Sequence, residues 1–106
     1  MPIKQPDYEY EEDVLTAGEE KIEEPPLYKV MLHNDNFTTM EFVVFILQSV
    51  FGRSETEAVQ VMLQVHLGGV GVAGIYSYEI AQMKVEKVTT LAREYEYPLL
   101  CTMEEN

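Results

Sequence analysis

Leu32-His33-Asn34-Asp35-Asn36-Phe37-Thr38-Thr39-Met40-Glu41-Phe42 runs a polar turn straight into the start of an apolar helix. Before it, Leu27-Tyr28-Lys29-Val30-Met31-Leu32 is apolar-rich and bounded by Pro25-Pro26 and by Asn34-Asp35-Asn36, which predicts a strand ending in a turn. After it, Thr38 with Glu41 three residues on has the capping-box pattern and sets a helix start. Met40 to Phe51 is apolar at nearly every position, so this helix is expected to be enclosed on most sides, with Gly52 ending it.

The pattern continues outward. Ser54-Glu55-Thr56-Glu57 repeats the capping box, and Ala58, Val61, Met62 and Val65 give a second helix an apolar face before Gly68-Gly69 stops it. Val70-Gly71-Val72-Ala73-Gly74-Ile75-Tyr76 predicts a strand whose glycines mark a close backbone approach or a bulge. Helical spacing returns from Tyr78 to Tyr95 through Ile80, Met83, Lys84, Val85, Val88, Leu91 and Ala92. Pro98 precludes further helix, and Leu99-Leu100-Cys101-Thr102-Met103 predicts a closing strand. The order β-α-α-β-α-β predicts an α+β two-layer sandwich, a small sheet with helices against one face.

Composition narrows the function. The chain has 106 residues, 46% of them hydrophobic, which supports one compact domain with one core. Net charge is −12, which disfavours nucleic acid and anionic membrane surfaces and favours a cationic partner. Residues 1–25 hold nine of the acidic side chains and two lysines, too little apolar surface to offset ordering, and are expected to form a mobile acidic tail before a domain over residues 26–106. No apolar run reaches the roughly 20 residues of a membrane span, and Met1-Pro2-Ile3-Lys4-Gln5 lacks the apolar core of a secretory signal. A soluble cytoplasmic protein is expected, with a monomer the simplest state.

Helical geometry groups the candidate site residues. Met40 and Val43 share one face of the first helix, and Met62, Val65 and His66 share one face of the second. Packing the two helices brings His66 towards Asn34, Asp35, Asn36 and Thr38, a pocket with apolar walls and a polar mouth. Spacing alone leaves plainer readings open: methionines as core filler, His66 as a helix-end cap, and Asn-Asp-Asn as a turn and nothing more.

Catalysis fits poorly. The single cysteine, Cys101, falls in an apolar strand, where a buried inert thiol is the plainer reading. No His-x-x-x-His or Cys-x-x-Cys spacing supports a metal among His33, Asp35 and His66, and Gly68-Gly69 with Gly71 lack the Lys-Ser/Thr of a phosphate loop. Neither an enzyme, a cofactor nor a metal is expected.

Taken together, Pro25-Pro26-Leu27-Tyr28-Lys29-Val30, Asn34-Asp35, Thr38, Met40-Glu41-Phe42-Val43, Val65-His66 and Pro98-Leu99-Leu100-Cys101-Thr102 resemble ClpS, the bacterial adaptor of the Clp protease, over about residues 25–104. The resemblance implies the β-α-α-β-α-β fold, similar also to the C-terminal domain of the ribosomal stalk protein. It implies an adaptor that binds the N-terminal residue of N-degron substrates (Leu, Phe, Tyr or Trp) and delivers them to the AAA+ unfoldase ClpA or another Clp unfoldase. By the same resemblance, Asn34, Asn36 and His66 meet the substrate α-amine and first peptide unit. Asp35, Thr38, Met40, Val43, Met62, Val65 and Leu99 match the side-chain pocket, with Met40 excluding β-branched residues. Glu79 and Lys84 match positions that dock on the ClpA N-terminal domain, and the tail matches a segment that engages the unfoldase.

One position departs from that family, which mostly carries a second Asp where this chain has Asn36. Replacing a charge-assisted bond by a neutral one implies a loss near 1 kcal/mol, a several-fold weaker grip on the amine. The alternative function is a general protein-interaction module that modulates Clp unfoldase substrate choice without reading N-termini.

Overall fold

In the computed structural model, which describes residues 24–106, strand β1 (Tyr28–His33) is the centre of a three-stranded sheet of order β2-β1-β3. Helices α1 (Met40–Ser49) and α2 (Glu55–Gly68) lie between β1 and β2 (Val70–Tyr76), and α3 (Tyr78–Glu94) lies between β2 and β3 (Leu100–Glu105). Both pairings are antiparallel. The expected α+β order and helix-on-sheet arrangement are those observed. The acidic tail expected over residues 1–25 lies almost wholly outside the described residues. No described helix is long and apolar enough to cross a membrane.

Alternation along β1 decides the layers. Val30 and Leu32 are fully buried and face the helices, where they meet Ile46 and Leu47 of α1, Val65 of α2 and Val88 of α3 in the core. Each such side chain contributes about 1.5–3 kcal/mol of apolar transfer. Lys29, Met31 and His33 point to the open face. There Lys29 pairs with Glu104 directly across β3 at 3.4 Å, and His33 Nε2 lies 2.7 Å from Thr102 Oγ1.

The glycines of β2 fulfil both sequence expectations. A Cβ on Gly71 would come within 2.8 Å of Val65 Cγ2, so Gly at this position lets α2 sit on the sheet. The register slips between Val30, opposite Gly74, and Met31, opposite Val72, leaving Ala73 as the extra residue of a β-bulge. A bulge frees a backbone group that needs a partner, and the Arg53 guanidinium supplies it by donating to the Ala73 carbonyl from Nε at 3.0 Å and Nη2 at 2.7 Å.

Three local expectations, at the α1 cap, the α1 surface and the start of β3, are corrected. Thr39, not Thr38, caps α1: its hydroxyl accepts from Phe42 N at 3.1 Å, and Glu41 closes no box. α1 is not enclosed on most sides, since Met40 and Phe45 are 46% and 40% exposed while Phe42, Val43, Ile46 and Leu47 form its buried stripe. The helix expected from Tyr78 is found as α3, with Ala81, Val88 and Ala92 buried and Ile80 and Met83 facing out. β3 begins at Leu100, not Leu99, and extends to Glu105. By contrast, the capping box at Ser54 and Glu57 closes in both directions, and Gly69 ends α2 at φ +93°.

Candidate functional site

The loop between β1 and α1 is organised by one carboxylate. Asp35 Oδ1 accepts the backbone N–H groups of Phe37 at 2.8 Å and Thr38 at 2.7 Å, and Oδ2 accepts the Thr38 hydroxyl at 2.7 Å. This turn occupies Thr38, which is why the cap passes to Thr39. Partial burial pushes the Asp35 carboxyl up, but the bonds from Thr38 and from the backbone of Phe37 and Thr38 outweigh it and hold it below its ordinary value of 3.8. Asp35 is therefore a fixed anion at neutral pH.

A second bond joins this loop to the far end of α2. The backbone N–H of Asn34 donates to the Gly69 carbonyl at 2.9 Å, while the Gly69 N–H returns to Val65 O at 2.9 Å. His66, in the last turn of α2, is thereby brought beside the Asn34–Thr39 loop.

Between them lies a cavity of about 380 Å³. Its polar mouth is Asn34, Asp35, Asn36, Thr38 and His66, and its apolar walls are Met40, Val43, Met62 and Val65. That volume is within the range of small-ligand sites, about 300–1,000 Å³. Among the described residues the side chains of Asn34, Asn36 and His66 make no hydrogen bond, so their polar atoms are available to a ligand. Asn34, Asn36 and His66 are exposed, and Val65 is 2% exposed at the inner wall. Met40 and Met62 also line an adjoining hollow with Glu41 and Val44, so two flexible thioethers form the partition between the two spaces.

Nine of the ten pocket residues singled out from the sequence are thus brought together. The tenth, Leu99, is 6% exposed in the core and does not line the cavity. Thr39 and Glu41 do line it, although the sequence pattern does not single them out. The available signal was position: a helix whose first turn faces a cavity carries its cap and second residue there as well.

Glu79 and Lys84 lie apart, on α3. Glu79 is exposed in its first turn, and Lys84 Nζ donates to Val50 O at 2.7 Å, 5.5 Å from the Tyr76 ring centroid. Cys101 is buried, which pushes its thiol up to about 12 and makes it a poor nucleophile. No cluster of three or more metal-ligating side chains occurs among the described residues. A larger groove of about 730 Å³ runs between α2 and the open sheet face, but its charged residues, Lys29 and Glu104, are paired with each other.

A mouth of amides, imidazole and carboxylate over an apolar chamber has the make-up of a small-ligand recognition site. Residues 23–102 match the family model for the ATP-dependent Clp protease adaptor protein ClpS, and the chain belongs to that family. It is 52% identical over 99 residues to the ClpS adapter of Myxococcus xanthus, covering 92% of each chain. It is 55% identical over 91 residues to that of Methylococcus capsulatus, covering 86% of each. Among solved structures it is similar to Agrobacterium tumefaciens ClpS2 bound to L-phenylalaninamide, at 40% identity and a TM-score of 0.75, over 78% of this chain and all of that one. The protein is an adaptor of the Clp protease system and not an enzyme.

Proposed function

We propose that the cavity holds the N-terminal residue of an N-degron substrate, with Leu, Phe, Tyr or Trp in the apolar chamber and the α-amine at the mouth. The observation that carries this reading is the convergence of Asn34, Asn36 and His66 over walls made by Met40, Val43, Met62 and Val65. The ligand of the Agrobacterium structure has the matching chemistry, a free amine beside an aromatic side chain and a first amide. Burial of a large apolar side chain supplies about 1.5–3 kcal/mol. Asn34, Asn36 and His66 orient the amine and first peptide unit, and the anionic Asp35 and net charge of −12 favour a cationic end. Leu99 acts from beneath, as core support for the walls.

In this reading the bound substrate is passed to a Clp AAA+ unfoldase, ClpA in the family this chain resembles. Glu79 and Lys84 present α3 to its N-terminal domain, and the acidic segment over residues 1–25 engages it. The adaptor works as a monomer in the cytoplasm.

Fluorescence anisotropy of short peptides starting with Leu, Phe, Tyr, Trp, Val, Ala and acetyl-Leu tests the pocket. Tight binding of the first four alone is expected, because acetylation leaves the mouth without its ammonium. Equal binding across the set would favour the general interaction module and end the N-terminal reading.

A further inference from the structure

On α3, Ile80, Met83, Lys84 and Lys87 stand at i, i+3, i+4 and i+7, a single stripe, and with Ser49 and Val50 they line a hollow of about 310 Å³. Ile80 and Met83 are 41% and 62% exposed, so the stripe is apolar and cationic together. Lys84 is held at its wall by the Val50 carbonyl. The complementary ligand is a segment that sets carboxylates beside aromatic or aliphatic side chains.

This chain carries such a segment. Asp7-Tyr8-Glu9-Tyr10-Glu11-Glu12-Asp13-Val14-Leu15 alternates acids with tyrosines and ends on two aliphatic residues. The first strand begins beside the hollow's own helix: the ring of Tyr28, the first residue of β1, lies edge-on to that of Tyr78, the first residue of α3, at 5.2 Å. Along α3, Lys84 and Lys87 are about 9 and 14 Å from Tyr78. The residues from Asp13 to Glu24 can span up to about 35 Å. A free acidic partner approaches against a net charge of −12, whereas a tethered one acts at a high effective concentration.

The geometry points to an intramolecular contact in which the acidic stretch Asp7 to Leu15 seats on the α3 hollow, its carboxylates at Lys84 and Lys87 and its apolar side chains on Ile80 and Met83. Its consequence, that this segment and the unfoldase compete for Lys84, rests on the docking reading above. The contact itself does not, and it is read without the unfoldase.

The test uses the full ¹⁵N-labelled chain with Ala17→Cys carrying a nitroxide, which the buried Cys101 thiol does not take up. At low salt the amides from Ile80 to Lys87 should lose most of their intensity relative to the reduced label. Intensity should return in about 1 M NaCl, where charges are screened beyond about 3 Å. It should also return in Lys87→Gln, a substitution at an exposed position, and in the Glu9→Gln, Glu11→Gln, Glu12→Gln chain. Losses spread evenly over the domain, centred on the Asn34–His66 cavity, or indifferent to Lys87→Gln would overturn the contact. Peptide binding by the same samples reports on the N-terminal pocket separately.

Discussion

The backbone N–H of Asn34 donates to the carbonyl of Gly69 at 2.9 Å, tying the loop after β1 to the last residue before β2. Every polar group at the cavity mouth sits on one side or the other of this bond, so the width of the mouth is set by the backbone. Gly69 takes part because its φ of +93° turns the chain out of α2 while its own N–H satisfies Val65 O.

Gly69→Ala should therefore damage binding through the backbone. A side chain in this conformation costs about 1–2 kcal/mol, and relief of that strain moves the Gly69 carbonyl away from Asn34. Urea unfolding should show a loss of that size, and Leu-peptide affinity should fall further than in a surface variant of equal stability. Unchanged affinity in the destabilised variant would separate the mouth from this bond.

Asp35 gives the stability an acid-side dependence. Its folded carboxyl titrates below 3.8 and its unfolded one near it, so its contribution is complete above that pH and lost as pH falls through the folded value. Unfolding midpoints measured from neutral pH downward should drop more steeply in this chain than in Asp35→Asn. Thr38→Val, which removes the hydroxyl bond to Oδ2, should cost about 1 kcal/mol at neutral pH. Parallel acid limbs for the parent chain and Asp35→Asn would assign the dependence to other carboxylates.

The elements were legible where one signal had one reader. Ser54 with Glu57 and Gly69 at the end of α2 each admit a single local role, and both are found as the pattern predicts. At Thr38-Thr39 two adjacent hydroxyls compete for the same cap, and a second local motif that overlaps it, the Asx turn of Asp35, decides between them. Ile80 and Met83 fit a helical apolar stripe, but which of two overlapping stripes turns inward depends on the sheet beneath, and small Ala81 and Ala92 pack there. The gathering of Asn34 with His66 was legible because helix geometry fixes which residues share a face. The place of Leu99 was not, since a residue before a strand carries no periodic signal of its depth.

Met40 should act as a size gate. It is 46% exposed and stands between the cavity and the hollow shared with Met62, so truncation opens the partition without emptying the core. Met40→Ala should change stability by less than about 1 kcal/mol. Peptides beginning with Val and Ile should gain measurable binding in the anisotropy panel, with those beginning with Leu and Phe keeping most of theirs. An unaltered preference order would place the exclusion of β-branched residues elsewhere.

Charge at the mouth is the last determinant, and two residues divide it. Asn36 offers a neutral carbonyl where a second carboxylate would make a charge-assisted bond, a difference near 1 kcal/mol. Asn36→Asp should then tighten Leu-peptide binding several-fold, with the gain shrinking as salt rises. Glu41, freed from a capping role because Thr39 caps α1 alone, lines the same cavity and is positioned to supply part of the missing charge. Glu41→Gln should weaken binding in this chain and weaken it less once residue 36 is Asp, since either carboxylate satisfies one ammonium. Affinities of the two single variants and the double variant form a cycle whose coupling separates these cases. Strict additivity would show that Glu41 and residue 36 do not meet the same amine.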